Sequence, residues 1–352
     1  MLIQENISEY LNGKMPFQNN FTQKSLKENI RKLTNERDFK SFSKSYDNLY
    51  SKRKIKKIKI VKKVAPLSIS KRNIFLRPLR EFKEYVLNNF TSKEILGVYV
   101  HGSLGDGNYV ECYSDFDALF ILRKEIFEDK KKLASIRKRI IKANTFLYLL
   151  DPLQHHNLFV ISELDMKYYF ETIFPVILFK EAKEVTNFKN KLTFYCLEDK
   201  KELDKAFNST YNELHKKSKK NFRFYEKTSA HIKLFIQNIV FLPTLLAQEK
   251  NKKYLLKKES FSKMRKYFNK EEWKIIEKCS LIRKTWKYES YYPYWLRKFI
   301  GFNLHYKILS LIHRYLDKND FKSISKNLGK GYLEDLRKFL KKSQEILKLS
   351  LL

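Results

Sequence analysis

Two aspartates one residue apart, Asp115 and Asp117, open the apolar run Ala118–Leu122. In a strand, residues i and i+2 share a face, so the pair is expected side by side on one strand. Two carboxylates on an otherwise apolar strand are costly to bury unpaired. A cation between them is the usual remedy, and Mg²⁺ takes hard oxygen ligands together with substrate phosphates. Upstream, the apolar run Ile95–Val100 leads through His101 into Gly102-Ser103. A glycine there lets the backbone approach a ligand closely. The following amides and the Ser103 hydroxyl can donate to phosphate oxygens. Types and spacing point to metal-assisted chemistry on a phosphate, one ion activating an attacking hydroxyl and another stabilising a leaving pyrophosphate.

Gly102-Ser103, a gap of eleven residues, and Asp115-Phe116-Asp117 together resemble the hG[GS]…[DE]h[DE]h pattern of the nucleotidyltransferase superfamily that includes DNA polymerase beta. Nearer members are bacterial stand-alone nucleotidyltransferase-domain proteins, of the aminoglycoside-modifying and minimal toxin–antitoxin types. The resemblance covers Ile95 to Ile161. It implies a small mixed sheet with flanking helices, dependence on Mg²⁺ or Mn²⁺, and transfer of a nucleoside monophosphate from ATP or another NTP to a hydroxyl. Gly102 and Ser103 match the phosphate-binding pair, and Asp115 and Asp117 the first two metal ligands. The family's third carboxylate, on a later strand, has no match inside His156–Ile161. Asp151, after the apolar run Phe146–Leu150, is the first choice to replace it, while Glu163 and Asp165 are expected to cap the helix that follows.

His155 and His156 beside such a site could bind metal or phosphate, or serve as a base near neutral pH. On an alternating strand they point to opposite faces, so at most one reaches the site; His156 joins Asp151 as a residue expected to complete it. His101 is expected to orient the glycine turn. Lys257 and Lys258, before a helix, could meet a triphosphate as point charges, as could Arg283 beside Trp286; solvated surface is the alternative for each. The cluster Tyr288–Trp295 could stack a base or pack a core.

The elements around these residues read as α+β. Helical spacing places Phe75, Leu79, Phe82, Tyr85 and Val86 on one face of Ile74–Phe90. Glu125–Ala143 is a basic helix, Thr145–Leu150 and Leu158–Ile161 are short apolar runs expected as strands, and Lys167–Glu181 returns to helix, interrupted by Pro175. From Phe194 the pattern becomes helical: Glu202–Phe222, Thr228–Gln248 with a late kink at Pro243, Phe261–Phe268, Glu271–Lys284, Trp295–Leu316 and Leu333–Leu349. The expected organisation is a basic extension over residues 1–73, a catalytic α+β domain over 74–190 and an all-helical domain over 191–352. A short helix is expected over Thr22–Leu33, and Lys52–Lys63 carries eight basic residues and no acid. That run reads either as an arm on a phosphate backbone or as an edge strand blunted by lysine.

The net charge of +34 on 352 residues attracts polyanions and favours RNA such as tRNA as acceptor, ahead of a small hydroxylated molecule or a protein hydroxyl. Compositional drift onto solvated faces accounts for the same excess equally well. Three scattered cysteines, Cys112, Cys196 and Cys279, exclude a CxxC zinc pair and fit a reducing cytoplasm. No uninterrupted apolar run of membrane-spanning length is present. The other function classes open to this chain are a degenerate nucleotidyltransferase fold that binds nucleic acid, and one half of a toxin–antitoxin pair.

Overall fold

The computed structural model describes residues 8, 11–12, 55, 57–61, 63–70, 72–171, 174–197, 200–219, 228–288, 290, 292–313, 328–329 and 331–348. The described chain forms two compact units. The first comprises Met1–Tyr109, Ser114–Glu198 and Tyr292–Ser310, the second Val110–Tyr113, Asp199–Tyr291 and Leu311–Leu352. The class is mixed α+β with small mixed sheets and many helices.

The first unit is built on a five-stranded sheet. Its strands are β2 (Ala65–Pro66), β3 (Ile95–His101), β4 (Asp117–Leu122), β5 (Phe159–Ser162) and β6 (Lys183–Glu184), in the order β2-β6-β3-β4-β5. β3 runs antiparallel to β4, with His101 opposite Asp117, and β4 runs parallel to β5. A two-stranded ribbon pairs β1 (Lys57–Val61) with β7 (Leu192–Cys196), antiparallel. Helices alternate with the central strands: α1 (Arg77–Asn89), α2 (Gly102–Asp106), α3 (Lys130–Leu150) and α4 (Glu163–Lys167). β3 is buried along its whole length and is apolar up to His101 at its end. One sheet face packs Val98, Val100, Ala118 and Phe120 against Phe82 of α1 and Phe146 of α3. Tyr99, Leu119, Ile121 and Ile161 lie in a second core with Phe174, Phe179 and Phe194. A register shift between Ile95 and Gly97 resets the alternation at the start of β3.

Several expectations need correction. Thr145–Leu150 is the end of α3, not a strand. Every residue from Ala143 to Leu150 is buried, so the last turns lose their polar stripe and read as a short apolar run, where periodicity cannot separate helix from strand. Lys167–Glu181 is not a helix; after α4 comes a 3-10 turn at Val176–Lys180, with Pro175 limiting helix continuation. The ribbon strand β7 stands where helix was expected to begin. The first unit also takes in β1 and Tyr292–Ser310, so its limits differ from 73 and 190. Both differences arise from long-range pairing. β1 finds its partner far along the chain, with Lys59 opposite Phe194, 135 residues on. The helix α9 (Tyr294–Phe299) and the π-helical Ile300–His305 return to α3. Gly301 permits that approach, since a Cβ there would meet Thr145 Cγ2 at 2.2 Å.

Within the basic run, Lys57–Val61 is the lysine-studded strand β1, and Lys59 is committed to Glu171 at 2.6 Å. The rest of that run except Lys63 and Ile55, and the expected helix Thr22–Leu33, lie outside the described residues. The described elements of the second unit are helical: α5 (Lys200–Lys219), α6 (Ser229–Asn251), α7 (Lys257–Arg265), α8 (Lys270–Lys284) and α11 (Tyr332–Lys348); α10 (Tyr306–Leu311), which follows the π-helical turn, belongs to the first unit up to Ser310. α6 is long and apolar enough by composition to cross a membrane, and 67% of its apolar window is buried in the protein.

Candidate functional site

The site is assembled at the end of β3, the start of β4 and the turn before β5. β4 begins at Asp117, so Asp115 lies just ahead of the strand rather than on it. The two aspartates still flank one core anchor. Phe116 is fully buried and meets Phe82 edge-on at a ring-centroid distance of 5.0 Å.

A side chain holds this segment where a neighbouring strand is missing. Gln154 accepts from Phe116 N–H through Oε1 at 3.0 Å and donates from Nε2 to Phe116 O at 3.2 Å. Its amide thus acts as the peptide unit of a partner strand. Gln154 is itself fully buried, and its Nε2 lies 3.2 Å from His156 Nδ1. Sequence reasoning missed Gln154. A glutamine in a polar turn carries no spacing signal, and its partner is 38 residues away.

The glycine turn belongs to the same site for a steric reason. Gly102 has φ +64, a left-handed conformation that favours glycine. A Cβ there would sit 2.4 Å from Asp117 Oδ2. The space left by the absent side chain is taken by the aspartate carboxylate. Ser103 follows, half-buried, in the first turn of α2.

Asp117 Oδ1 is 2.8 Å from His156 Nε2, and Asp115 Oδ2 is 3.8 Å from His155 Nδ1. Both histidines therefore reach the aspartates, against the expectation that only one would. They lie in the turn ahead of β5, not on it, so strand alternation does not apply. Burial disfavours a charged His156, but the hydrogen bond and charge of Asp117, with Asp115 behind it, outweigh that and raise its pKa to about 9. Burial likewise opposes ionisation of Asp117, yet His156 holds that carboxyl below its usual range. His101, opposite Asp117 across the ladder, is buried against Phe174 at 4.5 Å. Burial lowers its pKa to about 4, and its Nε2 has no hydrogen-bond partner among the described residues.

One ligand atom each from Asp115, His155 and His156 lies within 4.8 Å of the others, a group able to hold a metal ion. The expected metal pair was Asp115 with Asp117; here Asp117 instead braces one of the histidines. Asp151 is buried at the end of α3, and its Oδ1 accepts from Leu153 N–H at 3.1 Å. It shapes the turn that returns Gln154, His155 and His156 to β4, and it is not in the metal-competent group. The capping expectation holds for Asp165, whose Oδ2 accepts from Ser162 N–H at 2.6 Å in a capping box. Glu163 accepts from Lys124 N–H at 3.0 Å and pairs with Arg123 at 3.6 Å.

Lys257 and Lys258 open α7 in the second unit, both exposed. Arg283 lies over the Tyr113 ring at 5.7 Å, and Trp286 meets that ring edge-on. Of the aromatic cluster, Tyr288 is buried, with its hydroxyl 3.3 Å from His313 Nδ1, while Trp295 is 68% exposed.

Comparison of the chain with protein-family models, curated proteins and solved structures found no match.

Proposed function

We propose that the protein is a metal-dependent nucleotidyltransferase in which His156 stands in for the missing third carboxylate. One observation carries this reading: the Gly102-Ser103 turn and Asp117 are parts of one object, because the carboxylate occupies the place of the glycine's side chain. Two motifs that merely coincided in sequence would have no reason to interlock. The His156–Asp117 pair at 2.8 Å supports the substitution of imidazole for carboxylate.

The reaction has a simple balance. An acceptor hydroxyl oxygen bonds to the α-phosphorus of an NTP, the bond to pyrophosphate breaks, and the hydroxyl proton passes to solvent water or to the departing pyrophosphate. His156, bonded to Asp117 at 2.8 Å, stands beside the aspartates as a ligand for the ion rather than as a base. Ser103 and the amides after Gly102 are the donors for phosphate oxygens. The Mg²⁺ implied by resemblance does not fit the gathered donors, which are one carboxylate oxygen and two imidazole nitrogens. Mn²⁺, the other ion implied, does fit, with Asp115, His155 and His156 to hold it. Such an ion supplies Lewis acidity to a phosphate oxygen. A net charge of +34 favours an RNA acceptor.

The second reading is a degenerate fold that binds a polyanion without transfer. It is favoured by the fate of the reserve acids: Asp165 and Glu163 are spent on local hydrogen bonds, and Asp151 shapes its own turn. One experiment separates the two. The protein is incubated with each α-labelled NTP, Mn²⁺ or Mg²⁺, and total RNA or metabolites. Label on an acceptor, lost in the Asp115→Asn, Asp117→Asn double variant, supports transfer. No labelled species, or labelling unchanged in the variant, sinks it, and retained RNA binding then selects the second reading.

A further inference from the structure

We infer that Asp115, His155 and His156 form a divalent-metal site selecting ions that accept imidazole nitrogen, namely Mn²⁺, Co²⁺ or Zn²⁺, over Mg²⁺. The inference concerns binding and does not depend on nucleotidyl transfer. It stands on geometry, donor chemistry and support.

The three ligand atoms lie within 4.8 Å of one another. Ligands of one tetrahedral ion, each at about 2.0–2.2 Å, stand about 3.3–3.6 Å apart, so side-chain rotation that closes the widest pair by up to about 1.5 Å completes the set. His155 is 41% exposed in its side chain and Asp115 14%, which leaves an entry path and rotational freedom on one side. His156 and Asp117, at 21% and 23%, are better enclosed than His155, so the open side is the His155 side.

Donor chemistry then sets the class of ion. Mg²⁺ demands oxygen in near-ideal octahedral geometry and is bound through carboxylates and phosphates. Imidazole suits transition ions, and two histidines with one carboxylate leave coordination positions open for water or substrate. The chain has placed nitrogen where an all-oxygen site would need carboxylate.

Support comes from the surrounding shell. Ligating histidines usually hydrogen-bond their second nitrogen to a carboxylate, which fixes the ring. Asp117 makes that bond to His156 Nε2 at 2.8 Å, and Nδ1, 3.1 Å from Asn157 O, is the nitrogen that would exchange the carbonyl for an ion. On the other side, Gln154 pins the Phe116 peptide next to Asp115 through both its amide atoms. The carboxylate and one imidazole are therefore held before any ion arrives.

The full chain, stripped with chelator, is titrated with Mn²⁺, Zn²⁺ and Mg²⁺ by calorimetry. Pulsed electron paramagnetic resonance of the Mn²⁺ form reads nitrogen coupling directly. The expected result is one Mn²⁺ or Zn²⁺ per chain, bound at least about tenfold more tightly than Mg²⁺, with imidazole nitrogen modulation. His155→Ala and Asp115→Asn each weaken binding by about tenfold or more. Equal or tighter Mg²⁺ binding, no nitrogen modulation, no retained ion, or unchanged affinity in folded His155→Ala overturns the inference. Should a variant fail to fold, the wild-type selectivity and nitrogen coupling still decide. Selective binding without label transfer leaves this inference standing and removes the transferase reading; label transfer together with Mg²⁺ bound as tightly as Mn²⁺ does the reverse.

Discussion

Gly102→Ala is the sharpest test of how the site is built, and Gly107→Ala is its internal control. Both glycines have positive φ, +64 and +80. A side chain in that region costs about 1–2 kcal/mol in either place. The surroundings differ. Nothing lies within 4 Å of a Cβ at Gly107, whereas at Gly102 it would meet Asp117 Oδ2 at 2.4 Å. The carboxylate must then retreat by at least about 0.6 Å to reach the 3.0 Å limit of real Cβ contacts. That movement strains the 2.8 Å bond to His156, and a hydrogen bond between charged groups is worth about 1.5–3 kcal/mol. Gly102→Ala should therefore cost about 2.5–5 kcal/mol and Gly107→Ala about 1–2 kcal/mol. The assay is urea denaturation in chelator, comparing midpoints at unchanged slope. Metal titration of both variants follows; only Gly102→Ala should lose affinity. Equal costs, within about 0.5 kcal/mol, would show that Asp117 is not seated over Gly102 and would remove the observation on which the proposed function rests.

Three further outcomes are expected. In metal-free protein, the stability gap between wild type and His156→Gln should be full below pH 6.5, the ordinary histidine value, and vanish as pH rises through about 9. The sign follows from the raised pKa: folding favours the protonated ring, for up to about 3 kcal/mol by linkage. At the acid end the Asp117 contribution, from a lowered pKa, is lost as the carboxyl protonates; a gap that widened with pH would contradict the pairing. Gln154→Leu leaves the buried N–H and C=O of Phe116 without this partner and should cost about 2–4 kcal/mol while weakening metal binding. Gln154→Glu, which keeps the acceptor, should retain part of the stability, and equal behaviour of the two variants would argue against the paired hydrogen bonds. Phe82→Ala removes a ring packed edge-on against Phe116, Phe120 and Phe146 and should cost about 3–5 kcal/mol; a cost under about 1 kcal/mol by thermal or urea unfolding would show that α1 does not anchor the site.

The α+β class, the apolar strands β3 and β4 and the main helices were legible because their signals are local. Helical periodicity in Ile74–Phe90 anticipated the buried face of α1, and the apolar runs at Ile95–Val100 and Ala118–Leu122 became β3 and β4. Local signals fail where burial erases periodicity, as in the last turns of α3, or where a strand draws its stability from a distant partner, as in β1 with β7.

The site divides along the same line. Sequence by itself determined the chemical inventory: a glycine-serine turn, two carboxylates at i and i+2, and two adjacent histidines. Residue type and short spacing are local, and they limit what chemistry can be offered. Tertiary structure decided how those groups combine. It seated Asp117 against Gly102 across a ladder, gave it His156 as partner, and grouped Asp115 with both histidines. It also assigned Asp151 to a turn and brought in Gln154 as an unanticipated brace. Apart from the local Asp151 turn, those outcomes rest on hydrogen bonds and steric contacts between residues far apart in the chain, which spacing along the sequence does not encode.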